Sequence, residues 1–172
     1  MENISIAPAK KEQINQLNIE LQTNIPNFHE TKIAEQESGN SLWLIAWANG
    51  KAIGHLQVRF NGPTEKDIKT LLNNVNDFAH IESIGVKENE RNKGIGTALI
   101  IKAETLAKEK NCKEIGMAVG SDDNPKARIL YEKLGYKDWQ KGNVIVGWNI
   151  TNKDGETVRE EENCVYLIKK LF

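Results

Sequence analysis

The chain has 172 residues, of which 39% are hydrophobic and 27% charged, with a formal net charge of −1. That length suits a single domain over residues 1–172, able to bury roughly 70% of its unfolded surface without disulfide or metal staples. The near-balance of charge excludes nucleic-acid binding by bulk phosphate neutralisation. Low net charge with good apolar periodicity disfavours disorder.

In chain order, Ile14, Leu17, Leu21 and Ile25 recur at helical spacing, so residues 9 to 23 read as an amphipathic helix that Pro26 ends. Phe28 to Ser38 reads as a second short helix, closed by Gly39-Asn40. Two strands follow, 41 to 48 and 52 to 60, around Asn49-Gly50. That dipeptide suits a type I′ hairpin, whose two central residues both need positive φ. In the second of these strands Leu56, Val58 and Phe60 alternate with His55, Gln57 and Arg59. Gly62-Pro63 opens a polar segment with a short helix around Asp67 to Leu72. A connection this long is either a substrate loop or plain decoration.

From His80 the pattern sharpens. His80 to Val86 is strand-like, Arg91 to Gly96 is a glycine-containing turn, and Thr97 to Lys110 is helical. Glu114 to Val119 alternates as a strand. Asn124 is suited to cap a helix that starts at Pro125 and stops at Gly135. Two strands, 143 to 151 and 163 to 171, flank a loop tipped by Asp154-Gly155. The two strand–helix crossovers in the middle require parallel strands there.

Cys112 and Cys164 lie outside C-x-x-C spacing and read as reduced structural thiols. Three histidines without H-x-x-x-H or H-x-H spacing give no metal signature. Met1-Glu2-Asn3-Ile4 lacks the basic and apolar regions of a signal peptide. The longest apolar run, Leu42 to Ala48, has strand length and not membrane-span length. A soluble, cytoplasmic protein is expected.

Arg91-Asn92-Lys93-Gly94-Ile95-Gly96-Thr97 has the physics of an anion site. The first amides of a helix lack internal partners, and the helix dipole adds positive potential at that end. Gly94 and Gly96 carry no Cβ, which lets a phosphate approach the backbone. From Arg91 to Lys113 six Lys or Arg stand against two Glu. The turn fails the P-loop pattern, having no Lys-Ser/Thr in frame. It also fails the dinucleotide fingerprint, because Leu99 stands where Gly or Ala is required. It meets the form [QR]-x-x-G-x-[GA]. Tight packing alone is the other reading of these glycines.

With His80-Ile81-Glu82-Ser83-Ile84-Gly85-Val86 before the turn, and Asn124-Pro125-Lys126-Ala127 through Leu130-Tyr131-Glu132-Lys133-Leu134-Gly135-Tyr136 after it, residues 41 to 140 closely resemble the GNAT (GCN5-related N-acetyltransferase) superfamily. The resemblance implies an α/β fold: a mixed, mostly antiparallel sheet of six to seven strands with a splayed parallel pair at its centre and helices on both faces. It implies acetyl transfer from acetyl-CoA, as co-substrate and without a metal, to an amine acceptor.

By the same resemblance, Ile84, Gly85 and Val86 pair with the pantetheine arm. The amides from Asn92 through Lys93, Gly94, Ile95 and Gly96 to Thr97 hold the pyrophosphate beside Arg91. Asn124 binds pantetheine or caps its helix, and Tyr131 lies near the sulfur.

The chemistry needs a neutral amine, hence a base or a water relay to one. Glu82 is the first candidate and His80 the second. Both are two-residue neighbours on one strand, placed on one face with Ile84 and Val86 by simple alternation. A strand amide, taken as that of Ile84, would stabilise the oxyanion. Tyr131, protonated, would donate to the leaving thiolate. Each also has a bland reading: Tyr131 in the core, Glu82 ion-paired, His80 at a strand edge, Asn124 as a cap.

The loop from Asp154 to Glu162, with five acids and one Arg, either attracts a cationic acceptor or is a solvated hairpin. The four tryptophans, Trp43, Trp47, Trp139 and Trp148, read as core or sheet-face packing and not as a ligand cage. A small-molecule acceptor is expected, with a protein amine or a silent CoA-binding module as alternatives. Neither nucleic acid nor membrane is expected as a partner, and the resemblance leaves a homodimer open.

Overall fold

The computed structural model describes residues 3–72, 75–121 and 125–172. Strand β1 (Ile4–Pro8) is followed by helices α1 (Ile14–Glu20) and α2 (Phe28–Gln36), and then by strands β2 (Ser41–Ala48) and β3 (Lys51–Arg59). Next come α3 (Lys66–Leu71), β4 (Phe78–Val86), α4 (Ile95–Glu109), β5 (Glu114–Gly120) and α5 (Pro125–Lys133). Strands β6 (Lys137–Asp138), β7 (Val144–Thr151) and β8 (Thr157–Lys170) complete the chain.

Among the described residues these strands form one eight-stranded sheet, ordered β1-β2-β3-β4-β5-β8, with β6 and β7 both on the far edge of β8. Only β4 and β5 run parallel. The mixed α/β class and the central parallel pair agree with expectation. The count of six to seven strands does not. Two short strands escaped the periodicity: β1, where Ile4 and Ile6 alternate over only five residues, and the two-residue β6. The helix expected over residues 9 to 23 is shorter, because a 3-10 turn at Lys11–Gln13 precedes α1 and the helix ends at Glu20.

The turns follow their residues. Asn49 and Gly50 have φ of 50° and 74°, as a type I′ hairpin requires. Gly135 closes α5 at φ 94°, with its own N–H on Glu132 O and the N–H of Tyr136 on Tyr131 O.

The sheet buries both faces. On one, Leu44, Leu56, Val58, Ala79, Ile81, Ile115, Met117 and Leu167 pack against the α4 stripe of Leu99, Ile100, Ala103 and Ala107. On the other, Trp43 and Ile45 pack against Leu17 and Phe28 of α1 and α2. Beside them, Ile68 of α3 seals Phe78 and Tyr166. The 61–79 connection is therefore anchored to the core through Ile68.

Strand β8 is long because it serves two partners. Its second half lies between β5 and β6, and its first half carries the hairpin with β7 past the end of β5.

Gly116 sits where β5 passes beneath two buried rings. A Cβ there would meet Tyr166 Cε1 at 2.7 Å and Phe78 Cζ at 2.8 Å. Gly116→Val is expected to destabilise the protein by about 1–3 kcal/mol through overpacking. Denaturant unfolding measures it, and an unchanged midpoint would show that these rings give way freely.

Candidate active site

The β4–β5 ladder runs from Phe78↔Glu114 to Ile81↔Met117 and stops there. Beyond it, β4 stays paired with β3 up to Val86, while β5 stays paired with β8 up to Gly120. The two central strands therefore part. The cause lies in β4: Gln57 faces Glu82 but His55 faces Gly85, so three residues of β4 span two of β3. The extra residue falls at Ser83, whose φ is 52°. This is a β-bulge, which bends its strand and disrupts the ladder locally.

His55 holds the bulge. Its Nδ1 lies 2.7 Å from the Ser83 carbonyl, and since a carbonyl only accepts, Nδ1 carries the proton. Burial pushes the His55 pKa down to about 4, so the ring is neutral near pH 7. The bulge also corrects the expected alternation. Ile84 and Val86 pack on the α4 side with Ala79 and Ile81. His80 and Glu82 face the opposite side, with Gln57 and Arg59. One inserted residue reverses every side chain after it.

The α4 side of the fork holds a cleft of about 800 Å³, lined by Ile84, Gly85, Val86, Arg91, Asn92, Gly94, Ile95, Gly96 and Thr97. These are nine of the expected cofactor residues. Tyr131, Leu130, Ala127 and Lys126 of α5 form its opposite wall.

Lys93 instead pairs with Glu90 at 2.8 Å. Asn124 lies outside the described residues. Gly94 caps α4 at φ 81°, a conformation that favours glycine. Gly96 has no such need, and a Cβ there would meet only Val86 Cγ2, at 3.9 Å. Its protein neighbours do not demand a glycine, so the packing explanation fails there and the space above the backbone stays open.

Along β4, Lys87 N donates to Ile53 O at 2.9 Å. By alternation the amides of Val86 and Ile84 point the other way, into the gap that β5 has left. Tyr131 is both core and cleft wall: it is 7% exposed, and burial raises its pKa, so its hydroxyl stays protonated.

On the opposite side lies a second cleft, of about 720 Å³. Glu82 accepts from Lys32 Nζ at 2.8 Å and Arg59 Nη2 at 3.2 Å. Arg59 and Gln57 each donate to Glu35 at 2.7 Å. Burial opposes the charge of Glu82, but Lys32, His80 and Arg59 outweigh it and hold its pKa down at about 2. His80 is 2% exposed, its Nδ1 is 2.8 Å from the Tyr166 hydroxyl, and burial lowers its pKa. Its Nε2 is 3.6 Å from Glu82.

Trp148, expected in sheet-face packing, is half-buried on the wall of this cleft with Val146 and Glu162. Thr64 and Glu65 bring the connection before α3 into the same wall. Lys32, Glu35 and Glu65 gave no local signal in the sequence. Gln57 and Arg59 did: three polar residues share one face of a central strand. The cysteines are both buried thiols, and Cys112 packs into the core as expected.

Two central parallel strands that part beside a helix N-terminus are the feature around which the site is built. Residues 12–136 match the acetyltransferase (GNAT) family model, and the chain belongs to that family. It is similar to a thialysine N-epsilon-acetyltransferase of Bos taurus, 36% identical over 81 residues, or 47% of this chain and 45% of that one. The matched stretch thus spans about half of that relative.

Among solved structures, an N-acetyltransferase from Staphylococcus aureus Mu50 shares the fold at a TM-score of 0.68 and 16% identity, covering 99% of both chains. The PaiA N-acetyltransferase of Thermoplasma acidophilum, solved with coenzyme A, does so at 0.64 and 17%, covering 98% of this chain and 99% of that one. No helix among the described residues is long and apolar enough to cross a membrane.

The folded pKa of His55 lies below its usual 6.5, so its stabilising contribution is complete above pH 6.5 and is lost as pH falls towards 4. The loss is on the order of 3 kcal/mol. In urea titrations at both ends of that window, His55→Gln is expected to lose less stability on acidification than the parent. Equal losses would show that His55 is not the group being charged.

Proposed function

We propose that the chain transfers the acetyl group of acetyl-CoA to a primary amine of a small molecule, by direct attack in a ternary complex. The observation that carries this reading is that two clefts on opposite sides of the sheet meet at one residue, Ile84, where the central strands part. One cleft carries the chemistry for an anionic carrier, and the other is rich in carboxylates. The openness above Gly96 fits a phosphate seated on the first amides of α4.

Acetyl-CoA supplies an activated acyl thioester. Arg91 and the amides from Asn92 to Thr97 would hold its diphosphate, and the free amides of Ile84 and Val86 its pantetheine arm. The Ile84 N–H would donate to the acyl oxygen as negative charge develops on it. Tyr131, protonated through neutral pH, can donate a proton to the departing thiolate.

The pair Lys32 and Arg59 changes what Glu82 can do. A carboxyl held at about 2 is a weak proton acceptor near neutrality. Glu82 therefore acts as a fixed, ion-paired negative charge, and with Glu35, Glu65 and Glu162 it gives the cleft an excess of carboxylates that draws an ammonium to the fork. The amine's proton leaves through water in the cleft, with neutral His80 beside it as the other acceptor.

Gly96→Trp is expected to weaken acetyl-CoA binding at least 100-fold while leaving the unfolding midpoint near that of the parent, since a Cβ there meets only Val86 Cγ2 at an ordinary 3.9 Å. Calorimetric titration and melting together test this; retained affinity would remove the diphosphate from this turn. Between pH 6 and 9 kcat/KM is expected to rise with the free-base fraction of whichever amine is supplied, since no Glu82 limb falls in that range. Profiles for two amines of different basicity check it. A shared limb near neutrality that Glu82→Gln abolishes would restore Glu82 as the base.

A further inference from the structure

The charges of the acceptor cleft do not cancel. Lys32 and Arg59 are matched by Glu82 and Glu35, each within 3.2 Å of its partner. Glu65 and Glu162 line the same cleft beyond that balanced set. One oxygen of Glu65, Oε2, is buried and has no hydrogen-bond partner among the described residues. A buried carboxylate oxygen left without a donor is costly, so a site that keeps one is built to receive a donor from outside.

Glu65 also stands at a defined depth. One of its carboxylate oxygens lies within 4.8 Å of ligating atoms of His80 and Glu82. His80 is four residues before Ile84 on β4, with the bulge taking up one of them. At the usual strand rise, counting from His80 or from Glu82 places Glu65 roughly 5–15 Å from the fork. Trp148 on β7 adds an aromatic face to the same cleft, a surface that favours cations. A metal ion at this place would need Glu82 as its third ligand, and Lys32 and Arg59 already offset the charge of that carboxylate at its Oε1. An ammonium needs only the carboxylate of Glu65, which lines the cleft with one oxygen unpartnered among the described residues.

We propose that the acceptor carries two cationic groups, the reacting amine at the Ile84 fork and a second ammonium received by Glu65, so that Glu65 selects linear diamines over monoamines. This rests on the acetyl-transfer reading above and extends it to the acceptor. Glu65 comes from the connection before α3, the segment that the sequence left between substrate loop and decoration. Its neighbour Ile68 is fully buried, so the carboxylate is presented from an anchored element.

The test measures CoA release from acetyl-CoA with a graded series of linear diamines and the monoamine of each matching carbon number. At the best length the diamine is expected to exceed its monoamine by at least about tenfold in kcat/KM, the scale of a charge-assisted hydrogen bond. Glu65→Gln should bring that ratio close to one, with the loss appearing in KM. Glu65→Asp, which shortens the reach by one methylene, should move the optimum to a longer diamine.

No diamine advantage at any length overturns the assignment, and so does a ratio that survives Glu65→Gln. If no amine releases CoA from a protein that binds acetyl-CoA, the acetyl-transfer reading itself fails and Glu65 loses its role with it. Turnover of monoamines and diamines alike defeats only the role of Glu65.

Discussion

The bond from His55 to the Ser83 carbonyl secures the feature on which the site depends. A single extra residue in β4 cannot be absorbed by the ladder, so the strand bends away from β5. Three consequences follow from that one distortion. Backbone amides of β4 lose their β5 partners and become available to a ligand. The side chains on either side of Ser83 are sent to opposite faces of the sheet. Two clefts on opposite sides of the sheet come to share Ile84. His55 performs this from β3 with a neutral ring, and Gly85 makes room for it, since a Cβ there would lie 2.7 Å from its Nε2.

The formal charge of −1 conceals two opposed electrostatic regions. The turn before α4 combines free amides, a helix dipole and Arg91. The other side of the fork gathers Glu35, Glu65, Glu82 and Glu162 around two cations. An anionic carrier and a cationic acceptor would thus be drawn to opposite faces and meet where the strands separate. Lys32 and Arg59 have a second effect. By depressing the pKa of Glu82 they make it a permanent charge and not a proton carrier near neutrality.

The second cleft is assembled from distant parts of the chain. Phe28 and Lys32 come from α2, Glu65 from the connection before α3, His80 and Glu82 from β4, and Trp148 from β7. The length of β8 brings the last of these into place, because its first half extends past β5 and carries β7 with it. The acidic run that ends at Glu162 lies on this extension. Most of its residues are exposed, as a solvated hairpin would be, while Glu162 reaches the cleft wall.

How much of this could be read from the residues depends on the range of the interaction. Local chemistry was legible. Asn49-Gly50 dictates its hairpin through positive φ, Gly94 its left-handed cap, Gly135 its helix stop, and the amides after Arg91 their anion cradle. Contiguous apolar stripes placed α4, β4 and β5. The sequence by itself therefore determined the fold class and the turn that lines the α4-side cleft, because both rest on neighbours a few positions apart.

Only the tertiary structure decided the second cleft. Nothing near Ser83 announces a bulge, so simple alternation put Ile84 and Val86 on the wrong face. Lys32 and Glu82 are 50 positions apart, yet their contact sets the charge state of the carboxylate. Long-range pairings of this kind depend on strand order and register, which no local pattern encodes.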